Sequence, residues 1–218
     1  MSGIERNSEA ERPLVSAVIP AYNEESTIEE VVSGVSRHVS EVIVVDDGSS
    51  DDTADKAVEA GAVLLKNDEN VGKRLSLIRG YRAAKGEVVV TLDSDGQHHP
   101  DDVPRLVGPI LNDRADLVIG VRPELPHFSE RVITTLTRLK VKAEDASSGF
   151  KAIRKSVVDE MEIHGSCTCG TFILEAYSKG ARVVGVPIEV SKRENGERRI
   201  QTRHLKQVLF ILYDLLRY

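Results

Sequence analysis

The sequence predicts an α/β fold in which a mostly parallel β-sheet is flanked by helices. Two observations support this prediction. Short apolar runs alternate with amphipathic stretches along the chain, which is the pattern of strands joined by helical crossovers. Three of the apolar runs end in clusters of polar side chains, and ligands bind at the carboxyl ends of the strands in open α/β sheets.

Five apolar runs before residue 122 predict strands. Each contains Val or Ile and ends at a proline or at polar residues, which are the usual limits of a strand. The predicted strands are residues 15–19, 41–45, 63–65, 87–92 and 117–121. The amphipathic stretches between them predict helices, the first with Ser26 as its N-cap and Glu29 in the capping-box position. The predicted helices are residues 26–37, 53–60, 75–84 and 101–111.

The alternation is less regular after residue 121. Residues 129–141 and 171–178 are predicted to be helical, and residues 148–153 and 182–190 are predicted strands. Residues 201–218 form a predicted amphipathic C-terminal helix, and the polar residues 1–13 are expected to be a mobile tail. We expect residues 14–218 to form a single domain around one continuous sheet.

Composition excludes several classes of protein. The chain has 218 residues and a net charge of −6, which does not favour nucleic-acid binding. Its two cysteines are too few for a disulfide framework or a cysteine-based zinc site. No run is long enough to span a bilayer. The first strand is not followed by a dinucleotide-binding glycine motif, and a P-loop is absent, so phosphates would be neutralised by metal and basic side chains.

The most informative stretch follows the fourth predicted strand, where Asp93, Asp95 and Gln97 end an apolar run. Carboxylates at positions i and i+2 of an extended strand point to the same side, and such a pair needs a compensating cation or ligand. Hard oxygen ligands favour Mg²⁺ or Mn²⁺, which usually also contact substrate phosphates. Polar clusters after the first two strands favour a metal–diphosphate site over a simple acidic turn. His98 and His99 are expected to be solvated loop residues.

Four motifs resemble those of glycosyltransferase family 2, whose members have the GT-A fold. They occur in the family's order and at its usual separations, and they cover roughly residues 14–122. The four motifs are residues 18–24 (Val-Ile-Pro-Ala-Tyr-Asn-Glu), 44–51 (Val-Val-Asp-Asp-Gly-Ser-Ser-Asp), 70–73 (Asn-Val-Gly-Lys) and 93–95 (Asp-Ser-Asp). Residues 95–98 and 145–151 are similar to the dolichol-phosphate mannosyltransferase and polyprenyl-phosphate glycosyltransferase branch of that family.

The resemblance implies a Rossmann-like GT-A fold with a mixed, mostly parallel sheet, and an inverting hexosyltransferase that depends on Mg²⁺ or Mn²⁺. The donor would be a nucleoside-diphosphate sugar, GDP-mannose or a UDP-hexose, and the acceptor a polyprenyl or dolichyl phosphate. Residues 14–120 would form a nucleotide-binding half and residues 121–200 an acceptor half. The implied nucleotide-binding residues are Pro20, Ala21, Tyr22, Glu24, Asp46, Asp47, Lys73, Asp93 and Ser94. The implied metal ligands are Asp95 and Gln97, the catalytic residues Asp95, Asp145 and Arg122, and the acceptor residues Ser148, Gly149, Arg198 and Arg199.

The role of Asp145 depends on the acceptor. A phosphate acceptor is already an anion and needs no general base, whereas a hydroxyl acceptor needs a base within hydrogen-bonding distance. Asp145 is then the best candidate. The alternative, a carboxylate that orients the acceptor pocket, is equally consistent with the sequence.

The C-terminal stretch has three interpretations. A basic segment, residues 192–206, precedes the apolar residues of the last helix, and this combination suits an anionic membrane surface. A helix packed on the sheet, or one that forms a homodimer, explains the same pattern. We therefore expect a cytoplasmic protein, peripheral at the inner face of the membrane if the first interpretation holds.

Two other functions fit a nucleotide-binding sheet. A sugar nucleotidyltransferase would have a glycine-rich basic loop after the first strand, but residues 20–24 are acidic and lack glycine. A nucleotide-sugar-binding protein without catalysis would retain the fold, although the intact Asp93, Asp95 and Gln97 disfavour it.

Overall fold

The computed structural model describes residues 15–125, 127–191 and 201–218, with side chains in the last range from residue 206 onward. The predicted tail, residues 1–13, and residues 192–200, which include Arg198 and Arg199, lie outside the described residues.

Seven strands and eight α-helices are present in the described chain, and most of them alternate. The strands are β1 (Val15–Ala21), β2 (Glu41–Asp46), β3 (Val63–Lys66), β4 (Val88–Thr91), β5 (Leu117–Val121), β6 (Lys151–Arg154) and β7 (Val183–Pro187). The helices are α1 (Ile28–Ser36), α2 (Thr53–Glu59), α3 (Lys73–Ala83), α4 (Val103–Leu111), α5 (Phe128–Thr137), α6 (Lys155–Asp159), α7 (Thr171–Ser178) and α8 (Gln201–Arg217). Each predicted element is present, and α6 was not predicted.

The strands form one sheet in the order β3-β2-β1-β4-β6-β5-β7. The pairs β1–β2, β1–β4, β2–β3 and β5–β7 are parallel, whereas β6 lies antiparallel between β4 and β5. The predicted α/β class with a mixed, mostly parallel sheet is confirmed. The insertion of β6 matters for function, because it places the beginning of an acceptor-half strand beside the carboxyl end of β4.

The sheet is covered on both faces, and every residue of β1 is buried. Ala17 and Ile19 pack with α1 and α4 on one face, whereas Val18 packs with α3 on the other. Burial of each large aliphatic side chain contributes roughly 1.5–3 kcal/mol. This two-sided burial explains why the strands are continuous apolar runs instead of alternating ones.

Two local predictions were wrong. Helix α1 begins at Ile28 with Thr27 as its N-cap, so the Ser26–Glu29 capping box does not form. The Thr27 hydroxyl does not cap the helix but donates a hydrogen bond to the carbonyl oxygen of Ser94, at 2.7 Å. The second error concerns β4, which ends at Thr91. The chain turns over Ser94 and Asp95, so the two carboxylates do not lie on an extended strand.

The C-terminal helix α8 is amphipathic in an unusual way. Its buried side includes the polar residues Gln207 and Asp214 beside Ile211, and it packs on α5 and α7. Its outer side exposes Leu209 (68%) and Leu216 (90%) to solvent. The helix is thus packed on the fold while it keeps an exposed apolar face. Within the described ranges, no helix has the length and apolarity required to cross a membrane.

Candidate active site

The three polar clusters meet at one edge of the sheet, because β2, β1 and β4 are parallel neighbours. Hydrogen bonds tie their loops together. The amide of Asn23 donates to the Ser49 hydroxyl, and the amide of Ser50 donates to the Asn23 side-chain oxygen, both at 2.9 Å. The contact between Thr27 and Ser94 joins the first cluster to the third. The loops that follow these strands therefore form one connected rim.

Asp46, the last residue of β2, has no exposed surface. Its Oδ1 accepts a hydrogen bond from the amide of Ser49 at 3.1 Å, whereas its Oδ2 has no partner in the described part of the chain. A buried carboxylate oxygen without a donor is unfavourable. The carboxylate thus keeps one unsatisfied acceptor at the carboxyl end of β1 and β2.

Asp47 organises the loop that leads to α3. Its Oδ1 accepts hydrogen bonds from the Asn67 amide nitrogen, the Val71 amide and the Ser76 hydroxyl, and its Oδ2 accepts one from the Gly72 amide. Both oxygens are therefore occupied by the protein itself. The structure brings Asp47 close to the predicted nucleotide site but shows it supporting the loop that carries Lys73.

The backbone conformation at Gly48 explains why a glycine follows the two aspartates. Its φ is +77°, and an added Cβ would lie 2.8 Å from the backbone carbon of Glu69. Glycine is the residue that adopts this conformation without strain and allows such a close approach. The second motif and the loop at residues 67–72 thus pack backbone against backbone.

Lys73 and Asp93 form an ion pair across the site. Lys73 begins α3, and its ammonium group donates a hydrogen bond to Asp93 Oδ1. The side chains are partly exposed, at 46% and 32%. Burial would raise the pKa of Asp93, but the positive charge of Lys73 outweighs it and holds this pKa below its usual value. Asp93 is therefore an anion at neutral pH.

Gly149 makes room for the Asp93 carboxylate. An added Cβ at Gly149 would lie 2.6 Å from Asp93 Oδ1. Its neighbour Ser148 is 1% exposed, and its hydroxyl exchanges hydrogen bonds with the backbone of Phe150 at 3.3 and 3.4 Å. The structure thus places Ser148 and Gly149, two of the four predicted acceptor residues, beside the site. Their described contacts are with the protein.

His98 supports the same loop, and the expectation that it is solvated was wrong. It is 7% exposed, its ring lies 5.0 Å from the ring of Phe150, and its Nδ1 accepts a hydrogen bond from the amide of Asp93. Burial lowers its pKa despite the nearby carboxylates of Asp93 and Asp95. The local sequence could not indicate this burial, because the aromatic partner Phe150 is distant along the chain. His99, by contrast, is exposed, as predicted.

Asp95 and Gln97 lie in the turn after β4. The amide of Gln97 donates to Asp95 Oδ1 at 3.2 Å, and the Gln97 side-chain nitrogen donates to the Ser191 carbonyl oxygen. Within the described residues, no three His, Cys, Asp or Glu side chains are grouped to hold a metal ion. One carboxylate and one amide oxygen nevertheless fit Mg²⁺ or Mn²⁺ if substrate phosphates and water supply the other ligands.

Arg122 and Asp145 form the second ion pair of the site, and it is buried. Arg122 donates through Nε and one terminal nitrogen to the two oxygens of Asp145, at 2.6 and 3.0 Å, and also to the Ser147 hydroxyl. Glu130 lies 3.6 Å from the guanidinium. Arg122 is 9% exposed and Asp145 is not exposed. Burial would raise the pKa of Asp145, but Arg122 and Ser147 outweigh it and lower this pKa.

The remaining predicted nucleotide-binding residues of the first motif lie at the end of β1 or just after it. Pro20 and Ala21 are buried at the end of β1, and Tyr22 and Glu24 are half-buried just beyond it. The amide of Glu24 donates to the Thr53 hydroxyl at 2.8 Å, which attaches the first cluster to the beginning of α2. These positions line the same rim as Asp46.

Residues 16–161 match the family model of glycosyl transferase family 2. A dolichol-phosphate mannosyltransferase from Pyrococcus furiosus is 31% identical over 94% of this chain. A UDP-N-acetylglucosamine–dolichyl-phosphate N-acetylglucosaminyltransferase from Methanococcus voltae is 29% identical over 81% of this chain. The present chain spans 64% of the length of the first relative and 85% of the second.

A solved structure shares the fold. Glucosyl-3-phosphoglycerate synthase from Mycobacterium tuberculosis, in complex with Mn²⁺, UDP-glucose and phosphoglyceric acid, superposes with a TM-score of 0.78. It is 26% identical in sequence, and the match covers 92% of this chain and 78% of that one. The likeness extends over both halves of the sheet.

Proposed function

Since the chain belongs to glycosyl transferase family 2, we propose that it transfers a sugar from a nucleoside-diphosphate donor to a polyprenyl or dolichyl phosphate. The donor is GDP-mannose or a UDP-hexose. The names of both relatives described above refer to dolichol or dolichyl phosphate and to the transfer of a sugar. Their different sugars leave the donor open between the two classes.

The observation that carries the proposal is the unpartnered Oδ2 of Asp46, buried where the ends of β1 and β2 meet. An N–H group of a nucleobase or a hydroxyl of ribose would satisfy it. Tyr22 and Glu24 follow Ala21, which pairs with Asp46 in the sheet. Asp47 contributes indirectly, because it holds the loop from which Lys73 extends.

The donor diphosphate would lie between Lys73 and the turn that holds Asp95 and Gln97. These two residues would bind Mg²⁺ or Mn²⁺, which supplies electrostatic stabilisation of the leaving nucleoside diphosphate. The mycobacterial structure with Mn²⁺ and UDP-glucose supports this assignment. Lys73 adds a second positive charge near the diphosphate, and Asp93 keeps that lysine in place.

The reaction is a displacement at the anomeric carbon. An oxygen of the acceptor phosphate forms a bond to this carbon, the bond to the donor's β-phosphate oxygen breaks, and the nucleoside diphosphate leaves with the electron pair. Because the acceptor is already an anion, no proton has to be removed. Asp145, fully buried and bound to Arg122, then serves as a positioning residue instead of a base.

A thermal-shift experiment tests the donor. GDP, UDP, CDP and their common sugar conjugates are added with and without Mn²⁺, because a ligand that binds the native state raises its melting temperature. We expect one nucleotide to stabilise the protein more in the presence of the metal, and Asp95→Asn to remove the metal-dependent part. Asp55→Asn, a change at an exposed aspartate of α2, is the matched control. The absence of any nucleotide response in the wild type would refute the donor assignment.

We also propose that α8 rests on the inner face of a membrane, where a lipid acceptor is found. The exposed Leu209, Leu212, Tyr213 and Leu216 of its outer side support this. Truncation is unsuitable as a test because Gln207 and Asp214 are buried.

The better test of the membrane proposal is co-sedimentation with anionic vesicles. We expect Leu209→Ser combined with Leu216→Ser to reduce binding several-fold, while Val58→Ser, at an exposed position of α2, leaves it unchanged. If the double variant binds vesicles as well as the wild type but changes from dimer to monomer in solution, α8 is a dimer interface and the membrane proposal is wrong.

A further inference from the structure

Lys151 is a buried cation that none of the assignments above uses. It is the first residue of β6 and is 3% exposed. In the sheet it pairs with Thr91, at the end of β4, and with Ile119 of β5. Lys151 therefore lies at the edge of the sheet that carries the site. Its partner Thr91 precedes Asp93 by two residues.

The ammonium group of Lys151 has no anionic partner in the part of the chain that the structure describes. Its described contact is with the ring of Phe172, with the nitrogen 5.4 Å from the ring centre. A cation–π contact compensates a buried charge less well than a carboxylate does. Burial accordingly lowers the pKa of Lys151.

The charges around Lys151 explain why it stays unpaired. The nearest carboxylates already have cations, since Asp93 pairs with Lys73 and Asp145 pairs with Arg122. The thiol of Cys167 adds no negative charge, because its hydrogen bond with Cys169 and its burial raise its pKa. Lys73 and Arg122 therefore bind the carboxylates nearest to Lys151, and the Phe172 ring is left as its described contact.

We propose that the ammonium group of Lys151 binds the phosphate group of the acceptor, an inference that rests on the proposed function. An anionic phosphate would supply the missing negative charge. The position favours the acceptor over the donor, because Lys151 and Phe172 belong to the acceptor half, on β6 and α7, whereas Lys73 of the donor half is directed to Asp93. Between the two ion pairs, Lys151 holds the attacking oxygen close to the donor sugar.

The test uses the full chain saturated with its preferred nucleotide and Mn²⁺, and farnesyl phosphate as a water-dispersible phosphate with a short prenyl chain. Lys151→Met keeps the volume of the side chain and removes its charge. We expect Kd for farnesyl phosphate to rise at least about tenfold, equivalent to about 1.4 kcal/mol, with an unchanged melting-temperature shift from the nucleotide. Lys151→Arg retains most of the binding, and Lys142→Met, at an exposed lysine of the same half, behaves like the wild type.

Inorganic phosphate in a parallel titration identifies the source of the phosphate. Tighter binding of farnesyl phosphate than of inorganic phosphate, both dependent on Lys151, indicates a lipid-linked acceptor, and equal binding indicates that the phosphate group alone is recognised. The proposal is overturned if Lys151→Met binds farnesyl phosphate as the wild type does, or if it loses the nucleotide response instead. A wild type that ignores every nucleotide yet binds phosphate through Lys151 would refute the donor assignment and leave the Lys151 site standing.

Discussion

The two ion pairs of the site, one in each half, differ in their exposure. Lys73–Asp93 in the donor half leaves 46% and 32% of its side chains exposed, whereas Arg122–Asp145 in the acceptor half leaves 9% and none. The first pair joins one lysine to one carboxylate, while the second is bidentate and includes Ser147.

This difference separates a pair that can exchange partners from one that cannot. An exposed pair contributes little to stability, so Lys73 can turn towards a diphosphate at small cost. A buried, bidentate pair becomes strongly unfavourable when one partner is removed. We interpret Arg122–Asp145 as fixed scaffold of the acceptor side and Lys73–Asp93 as the part of the site that responds to ligand.

The largest effect is expected for Asp145→Asn, which removes the carboxylate that binds Arg122 bidentately and leaves the buried guanidinium only Glu130, at 3.6 Å, as a described carboxylate partner. The free energy of unfolding should fall by about 3 kcal/mol, as measured by urea denaturation, and transfer activity should fall with it. Replacement of both partners by apolar residues should cost less than the sum of the single changes. Lost activity at full stability would instead identify Asp145 as a base.

The pH dependence sharpens this prediction. Because Asp145 has a lowered pKa in the folded protein, its contribution to stability is complete above the unfolded value of about 3.9. The contribution is lost as the pH falls through the folded value. The stability difference between wild type and Asp145→Asn should therefore be constant from pH 5 upward, roughly, and shrink below about pH 4. A difference that declines around neutral pH would contradict the assignment.

The smallest effect on stability is expected for Lys73→Gln. Because the pair is exposed, the free energy of unfolding should change by less than about 1 kcal/mol. The melting-temperature shift caused by nucleotide and Mn²⁺ should nevertheless decrease clearly, since a charge near the diphosphate is lost. Lys142→Gln serves as the control. Equal loss of stability in Lys73→Gln and Asp145→Asn would remove the distinction between the two pairs.

Most of the fold could be predicted from the sequence because the strands are buried on both faces. Such strands appear in the sequence as continuous apolar runs, and each predicted strand is present. The boundaries were less accurate where tertiary contacts decide them. The first helix begins after Thr27 instead of Ser26, and the Thr27 hydroxyl donates a hydrogen bond to Ser94, far away along the chain.

The sequence predicted the edge of the sheet at which the candidate site lies. It did not predict which side chains pair with each other there. Motifs after β1, β2 and β4 predicted that Asp46, Asp93 and Asp95 lie at one edge of the sheet, and these three strands are parallel neighbours. Nothing in the spacing indicated that Asp47 holds a loop, that His98 is buried against Phe150, or that Lys151 is a buried cation. These roles depend on the position of β6 between β4 and β5, which hydrophobic alternation alone does not determine.

From the sequence alone came the α/β class, the strand ends that carry the acidic clusters and the family resemblance, because these depend on local patterns of apolar and polar residues. The tertiary structure decided which carboxylate pairs with which cation and which charge remains without a partner. Those outcomes depend on burial and on distances between residues far apart in the chain. A carboxylate such as Asp145 and one such as Asp93 look alike in sequence, and their surroundings alone distinguish a scaffold from a ligand-responsive group.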